Sequence, residues 1–137
     1  MSAENVQIIR GLYESFAKGD VPAVLGAMSP DIVWNEAENF PYADRNPYVG
    51  PQAILMGVFA RLAGEWDGFA VEPGEVLDAG DHVVVLGRYR ATYRPNGKGV
   101  HAQMAHIWRF KDGKIAQFQQ YTDTKQFTDA VAAQNAD

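Results

Sequence analysis

The hydrophobic period of this chain changes at Gly64, and that change limits what it can fold into. Before Gly64 apolar residues recur at the three-and-four spacing of amphipathic helices. After it they alternate with a period of two, the mark of half-buried strands. Four strands fit the second half, near residues 68–78, 82–94, 99–111 and 114–122. The turns between them are Ala79-Gly80-Asp81, Pro95-Asn96-Gly97 and Asp112-Gly113, each carrying the glycine that tight hairpins favour. Strands joined so closely form an antiparallel meander.

The first half supplies the elements that cover it. Val6, Ile9, Tyr13 and Phe16, with Ile8 and Leu12 beside them, form the stripe of a helix that Gly19 ends. Asp20 caps a second helix with Pro22 in its first turn, and Ser29-Pro30 stops it, because the residue before proline avoids helical angles. A short strand, "DIVWN", follows. Glu36 to Gly50 is a long loop of prolines, Asn and Asp, of the kind that forms lids or binding edges. Gly50-Pro51 opens a third helix with a stripe of Ile54, Leu55, Val58, Phe59 and Leu62. Phe127, Ala130 and Val131 predict a last short helix before a weakly structured tail, "AAQNAD". The layout is α+β, one domain over residues 1–137, with helices covering one face of a long curved antiparallel sheet. A pocket belongs on the covered face.

Composition excludes several functions. The net charge is −5 with no Lys or Arg run, so neither nucleic acid nor an anionic membrane is an expected partner. No stretch reaches the length of a membrane span, and the first residues lack a basic segment followed by an apolar run. A soluble, cytoplasmic protein is expected. The absence of cysteine removes disulfides, thiol nucleophiles and thiolate metal ligands. Ser2, Ser15 and Ser29 lack a nucleophile-elbow context, and no phosphate-cradling loop or zincin motif occurs. His101 and His106 lie five apart on one strand and face opposite ways, which disfavours a two-histidine metal site; His82 sits at a strand edge.

His106 shares its face with Ala102, Met104, Trp108 and Phe110. It is either a hydrogen-bonded core residue or a pocket residue able to polarise a substrate. Its candidate partners are Asn35, Glu36, Glu38 and Asp123. Alternation places Asn35 with Val33 and Glu36 with Trp34, so one of Asn35 and Glu36 points inward. Asp123 also fits a helix cap, with Gln126 returning to it. A three-residue Lys111-Asp112-Gly113 loop would set His106 opposite Phe118 with Gln120 and Thr122 on its face. A two-residue loop would bring Gln119, Tyr121 and Asp123 there instead. The first register is preferred because it turns Phe118 inward beside Met104 and Trp108. Arg88 and Arg90, alternating with Val84 and Leu86, mark a face that is either solvated or paired with a second subunit. Tyr42 and Tyr48 are lid aromatics or loop packing.

"LYESFAKGD", "MSPDIVW", "YVGPQAI" and "AHIWRFKDGKI" followed by "QQYTDT" together resemble the nuclear transport factor 2-like superfamily. That superfamily includes ketosteroid isomerase and the SnoaL-like polyketide cyclases. The resemblance runs from about Val6 to Phe127 and is nearest to the ketosteroid isomerase-related bacterial proteins. It implies a cone in which helices and a curved sheet enclose an apolar pocket, and a homodimer formed through the outer sheet face. Matched to the isomerase, the general-base aspartate falls on Asn35, the proton-donating aspartate on His106, and the oxyanion tyrosine near Leu12, one residue from Tyr13. Asparagine cannot abstract a proton, so a base would have to be Glu36 or Glu38. In cyclase-type relatives an aspartate late in the sheet serves, which would be Asp123.

The expected site therefore has His106, Asn35, Glu36 and Asp123 as catalytic candidates. Tyr13, Trp34, Glu38, Met104, Trp108, Phe118 and Gln120 would line the pocket. No metal or organic cofactor is called for. The ligand class is a small hydrophobic carbonyl compound, isomerised, cyclised or cleaved by acid–base chemistry. A non-catalytic binding module for an apolar metabolite and a structural dimer with a self-filled interior are the alternatives.

Overall fold

The alternation of β5 (Lys98–Lys111) decides where the core lies. Ala102, Met104, His106, Trp108 and Phe110 all point inward and are buried, whereas Gln103 and Arg109 are exposed. This computed structural model describes residues 2–133. Helix α1 (Ser2–Ala17) and helix α2 (Val21–Gly26) precede strand β1 (Met28–Asn35). A 3-10 turn (Pro41–Arg45) and strand β2 (Tyr48–Val49) lie in the long loop. Helix α3 (Pro51–Ile54), a π-helical turn (Leu55–Phe59) and helix α4 (Ala60–Glu65) follow without a break. Strands β3 (Trp66–Ala79) and β4 (His82–Tyr93), then β5, β6 (Lys114–Thr122) and helix α5 (Thr124–Ala132), complete the chain. Residues 134–137, most of the expected tail, lie outside the described part. Among the described residues no helix is long and apolar enough to cross a membrane.

The sheet is curved, unclosed and six-stranded, in the order β2-β1-β6-β5-β4-β3. The expected meander is present, β3 to β6 pairing antiparallel in sequence. The sheet as a whole is mixed, because β1 joins the far side of β6 in parallel. That pairing aligns Trp34 with Phe118, whose rings lie 3.8 Å apart, and Asn35 with Gln119. Helix α1 packs against β3 and β4, and α5 against β5.

Two expectations are corrected. Ser29 and Pro30 belong to β1, not to the end of α2. Between Met28 and Val33 the β1–β6 register slips, so Pro30 sits where no ladder bond is required of it. The β5–β6 turn has two residues, Asp112 and Gly113, both at positive φ, which is the type I′ geometry. The inward face is nevertheless the expected one. Arg109 pairs with Gln117 and Phe110 with Ile115, so Ala116 is an extra residue that restores the parity. His106 consequently lies opposite Gln120, and Trp108 opposite Phe118.

A further irregularity, between Pro73 and Glu75, bends β3 over Gly87 of β4. A Cβ on Gly87 would lie 2.2 Å from the Glu72 carbonyl oxygen and 2.9 Å from Pro73 Cα. Main chain cannot yield as a side chain can. Gly87→Ala is expected to lower unfolding stability by about 2 kcal/mol or more. Gly99, whose added Cβ would meet nothing within 4 Å, serves as the control in urea titration.

Candidate functional site

Four elements converge on the His106 ring. Helix α1 turns Ile9, Leu12 and Tyr13 inward on one stripe, and the Tyr13 hydroxyl lies 2.6 Å from His106 Nδ1. On β4 the residues that alternate with exposed Arg88 and Arg90 point inward, and the Tyr89 hydroxyl is hydrogen-bonded to His106 Nε2. From β5 itself, Trp108 Nε1 donates to the Tyr13 hydroxyl at 3.0 Å. Directly across the ladder, Gln120 donates to the Tyr89 hydroxyl at 2.9 Å and accepts the Ala37 N–H at 3.0 Å. Burial pulls the His106 ring down to about 3, so it is neutral at physiological pH.

The carboxylate that shares this region is Glu36, one residue beyond β1. Trp34 faces inward, and continued alternation turns Glu36 the same way. It is only 3% exposed. Trp34 Nε1 donates to Glu36 Oε2 at 2.9 Å. Asn46 clamps the main chain there, accepting the Glu36 N–H at 3.0 Å and donating to its carbonyl at 2.9 Å. Burial raises the Glu36 carboxyl to about 7, against a smaller lowering by the Trp34 hydrogen bond and the Arg61 charge.

Glu36, Tyr13, Tyr89 and Gln120 supply the polar wall of an otherwise apolar cavity of about 50 Å³. Trp34, Trp108 and Phe118 form much of the rest. Phe16, Phe59 and Phe69, all half-buried, close the outer end; Phe16 lies 5.6 Å from Phe59 and 6.5 Å from Phe69, ring centre to ring centre. The volume admits a few waters. It is well below the roughly 300 Å³ at which pockets for drug-sized ligands begin.

The expected residues divide accordingly. Tyr13, Trp34, Glu36, Trp108, Phe118 and Gln120 come together on the cavity wall. His106 does not reach it, because Tyr13 and Tyr89 take both ring nitrogens and stand between the ring and the cavity. Met104 is buried on the same face but lies off the wall. Asn35 faces away, beside Gln119, as alternation requires once Trp34 points inward. Glu38 is exposed. Asp123 is also exposed, at the start of α5, where its side chain makes no cap bond and instead accepts from Gln126 at 3.0 Å. Tyr42 and Tyr48 are buried packing: Tyr42 donates to Glu65 at 2.5 Å, and Tyr48 donates to the Tyr42 carbonyl.

Sequence reasoning passed over Tyr89, although Arg88 and Arg90 on the outer face already implied that it points inward. It also passed over the three phenylalanines at the cavity mouth. Among the described residues no three His, Cys, Asp or Glu side chains gather as a metal site.

The sequence model of the SnoaL-like domain matches residues 9–118. A search of curated proteins gives no match. Among solved structures, a nuclear transport factor 2-like protein from Burkholderia thailandensis is 38% identical, with 92% of this chain and 95% of that one covered and a TM-score of 0.88. TerC, co-crystallised with polyporic acid, is 26% identical over 93% of this chain and 98% of its own, with a TM-score of 0.83. A protein with a ketosteroid isomerase-like fold from Catenulispora acidiphila, in complex with trimethylamine, shares the fold at 19% identity, 94% and 92% coverage, and a TM-score of 0.73.

The two buried titrating groups oppose each other in pH-dependent stability. The His106 ring binds its proton more weakly folded (about 3) than at its ordinary 6.5, so its contribution is lost as pH falls below 6.5. Glu36 binds its proton more tightly folded (about 7) than at its ordinary 4.5, so its contribution is lost as pH rises from 4.5 to about 7. From 4.5 to 6.5 the slopes cancel. Glu36→Gln removes one of them, and its stability should climb through that window by about 1.4 kcal/mol per pH unit relative to wild type. Urea titrations across the pH range test this; parallel curves for the two proteins would refute it.

Proposed function

This chain belongs to the SnoaL-like domain family, and we propose that it moves a proton on a small carbonyl compound held in the cavity, without a cofactor. One observation carries the reading: a buried carboxyl with its pKa raised to about 7 shares an apolar cavity with two phenol hydroxyls. A base works best when its pKa lies near the working pH. The Glu36 carboxylate takes a proton from the carbon next to the carbonyl, and the C–H electron pair moves toward the carbonyl oxygen. A phenol O–H, from Tyr13 or Tyr89, donates a hydrogen bond to the oxygen as charge grows there. Return of the proton from Glu36 to a different carbon completes an isomerisation; loss of a leaving group or closure of a ring completes a lyase or cyclase reaction. His106 takes no part at the reacting atoms and positions both phenols. That TerC, which is similar to this chain in fold, was co-crystallised with polyporic acid supports a ligand-holding role.

The cavity size favours a second reading. About 50 Å³ is too small for an apolar ligand unless Phe16, Phe59 and Phe69 swing aside, and a module that opens only to hold a metabolite would have the same walls. Exchange of the α-hydrogens of cyclohex-2-enone in D2O, followed by NMR, separates the two. Catalysis predicts exchange that accelerates with pH through about 7 and falls about 100-fold or more in Glu36→Gln. Saturable binding with no exchange would leave only the binding module.

The same proposal includes a cytoplasmic homodimer formed through the outer sheet face. Leu86 and Tyr121 are exposed there on either side of Ala105, in one row across β4, β5 and β6. Light scattering should give twice the 15.1 kDa chain mass, and Tyr121→Arg should shift it toward the monomer. A monomer in the wild type would overturn the dimer.

A further inference from the structure

The hydrogen bonds around His106 leave one proton over. Each phenol oxygen already receives an N–H: Tyr13 from Trp108, Tyr89 from Gln120. Neither donor can be reversed. An indole nitrogen only donates, and the Gln120 amide is oriented by the Ala37 N–H, which needs the Gln120 oxygen. Both phenols keep their protons, since burial raises both. A neutral imidazole donates from one nitrogen and accepts at the other. It can therefore take the proton of only one phenol, and it must offer its own to the other. The phenol that receives the ring N–H is left with an O–H for which no side chain among the described residues provides an acceptor. Both phenols face the cavity.

We propose that His106 is a positioning residue whose tautomer selects which of Tyr13 and Tyr89 presents a free O–H to the cavity, so that the site offers one hydroxyl donor at either of two places. With the ring proton on Nδ1, Tyr89 donates to Nε2 and Tyr13 is free to donate to a ligand. With the proton on Nε2, Tyr13 donates to Nδ1 and Tyr89 is free. The ligand class follows: an acceptor oxygen such as a carbonyl or phenolate, placed near either phenol, with the tautomer following it. This deepens the pocket reading above and rests on it for the ligand, while the tautomer itself is a property of the empty protein.

The test is 15N NMR of protein labelled at its histidines, with cyclohex-2-enone as the probe. The unliganded wild type should show one protonated and one bare nitrogen on the His106 ring at neutral pH. Tyr13→Phe should fix the proton on Nε2, where Tyr89 still accepts it, and Tyr89→Phe should fix it on Nδ1. Cyclohex-2-enone should draw the wild-type proton to one nitrogen, and replacing the phenol on that side with phenylalanine should weaken its binding about tenfold. If the enone does not bind while the variants move the ring proton as stated, the ligand-pocket reading fails and the tautomer assignment stands. The same nitrogen protonated in both variants would overturn the assignment. So would two protonated nitrogens in the wild type, a result that needs no variant to fold.

Discussion

A neutral imidazole buried between two phenols is the interaction on which the rest of the interior depends. His106 is 4% exposed, and removal from water denies it the charge it would otherwise carry in weak acid. A ring so placed needs a partner at each nitrogen, or it leaves a buried polar group unsatisfied at about 1–3 kcal/mol. Tyr13 and Tyr89 meet that need from α1 and β4, and Trp108 and Gln120 each donate an N–H to one phenol oxygen in turn. Through Ala37 the chain of bonds reaches the segment after β1. Helix position, strand register and loop entry are thereby fixed together by one set of hydrogen bonds in a low-dielectric interior.

Glu36 is the titrating counterpart on the wall of the same cavity. It lacks the full complement of donors that would hold a carboxylate ionised in the core, so its proton affinity rises. The loop that carries it is held firmly. Asn46 bonds both main-chain groups of Glu36, and Arg61 of α4 pairs with Asp44 through two bonds of 2.9 Å while lying 4.3 Å over the Tyr42 ring. The 36–50 segment is thus a strap pinned to α4, while the half-buried Phe16, Phe59 and Phe69 complete the cavity wall. A rigid carboxyl of raised pKa beside fixed hydroxyl dipoles is the arrangement that proton transfer in an apolar cavity requires.

Much of this architecture is legible in the amino-acid sequence. Period-two alternation around His106 places Met104, Trp108 and Phe110 on its face, and the glycine turns locate every hairpin of the meander. The same alternation reduces the choice between Asn35 and Glu36 to one inward residue. Two things are hidden for physical reasons. The bulge at Ala116 leaves face parity unchanged but slides the pairing by two residues, so the neighbour opposite His106 is Gln120 instead of Phe118. Tyr89 and Tyr13 come from separate elements, and no local pattern states that both will end on the same ring. Helical periodicity gives the stripe that holds Tyr13, yet the depth at which α1 lies in the cone is set by tertiary packing.

The proton affinity of Glu36 can be measured alone, by following its side-chain carboxyl carbon in 13C NMR from about pH 3 to 9 and assigning it with Glu36→Gln. A midpoint near 7 is expected, with little movement of the resonance below about pH 5. A midpoint near the ordinary 4.5 would mean that the carboxyl is hydrated. In that case the cavity holds no buried base, and the proton-transfer reading falls.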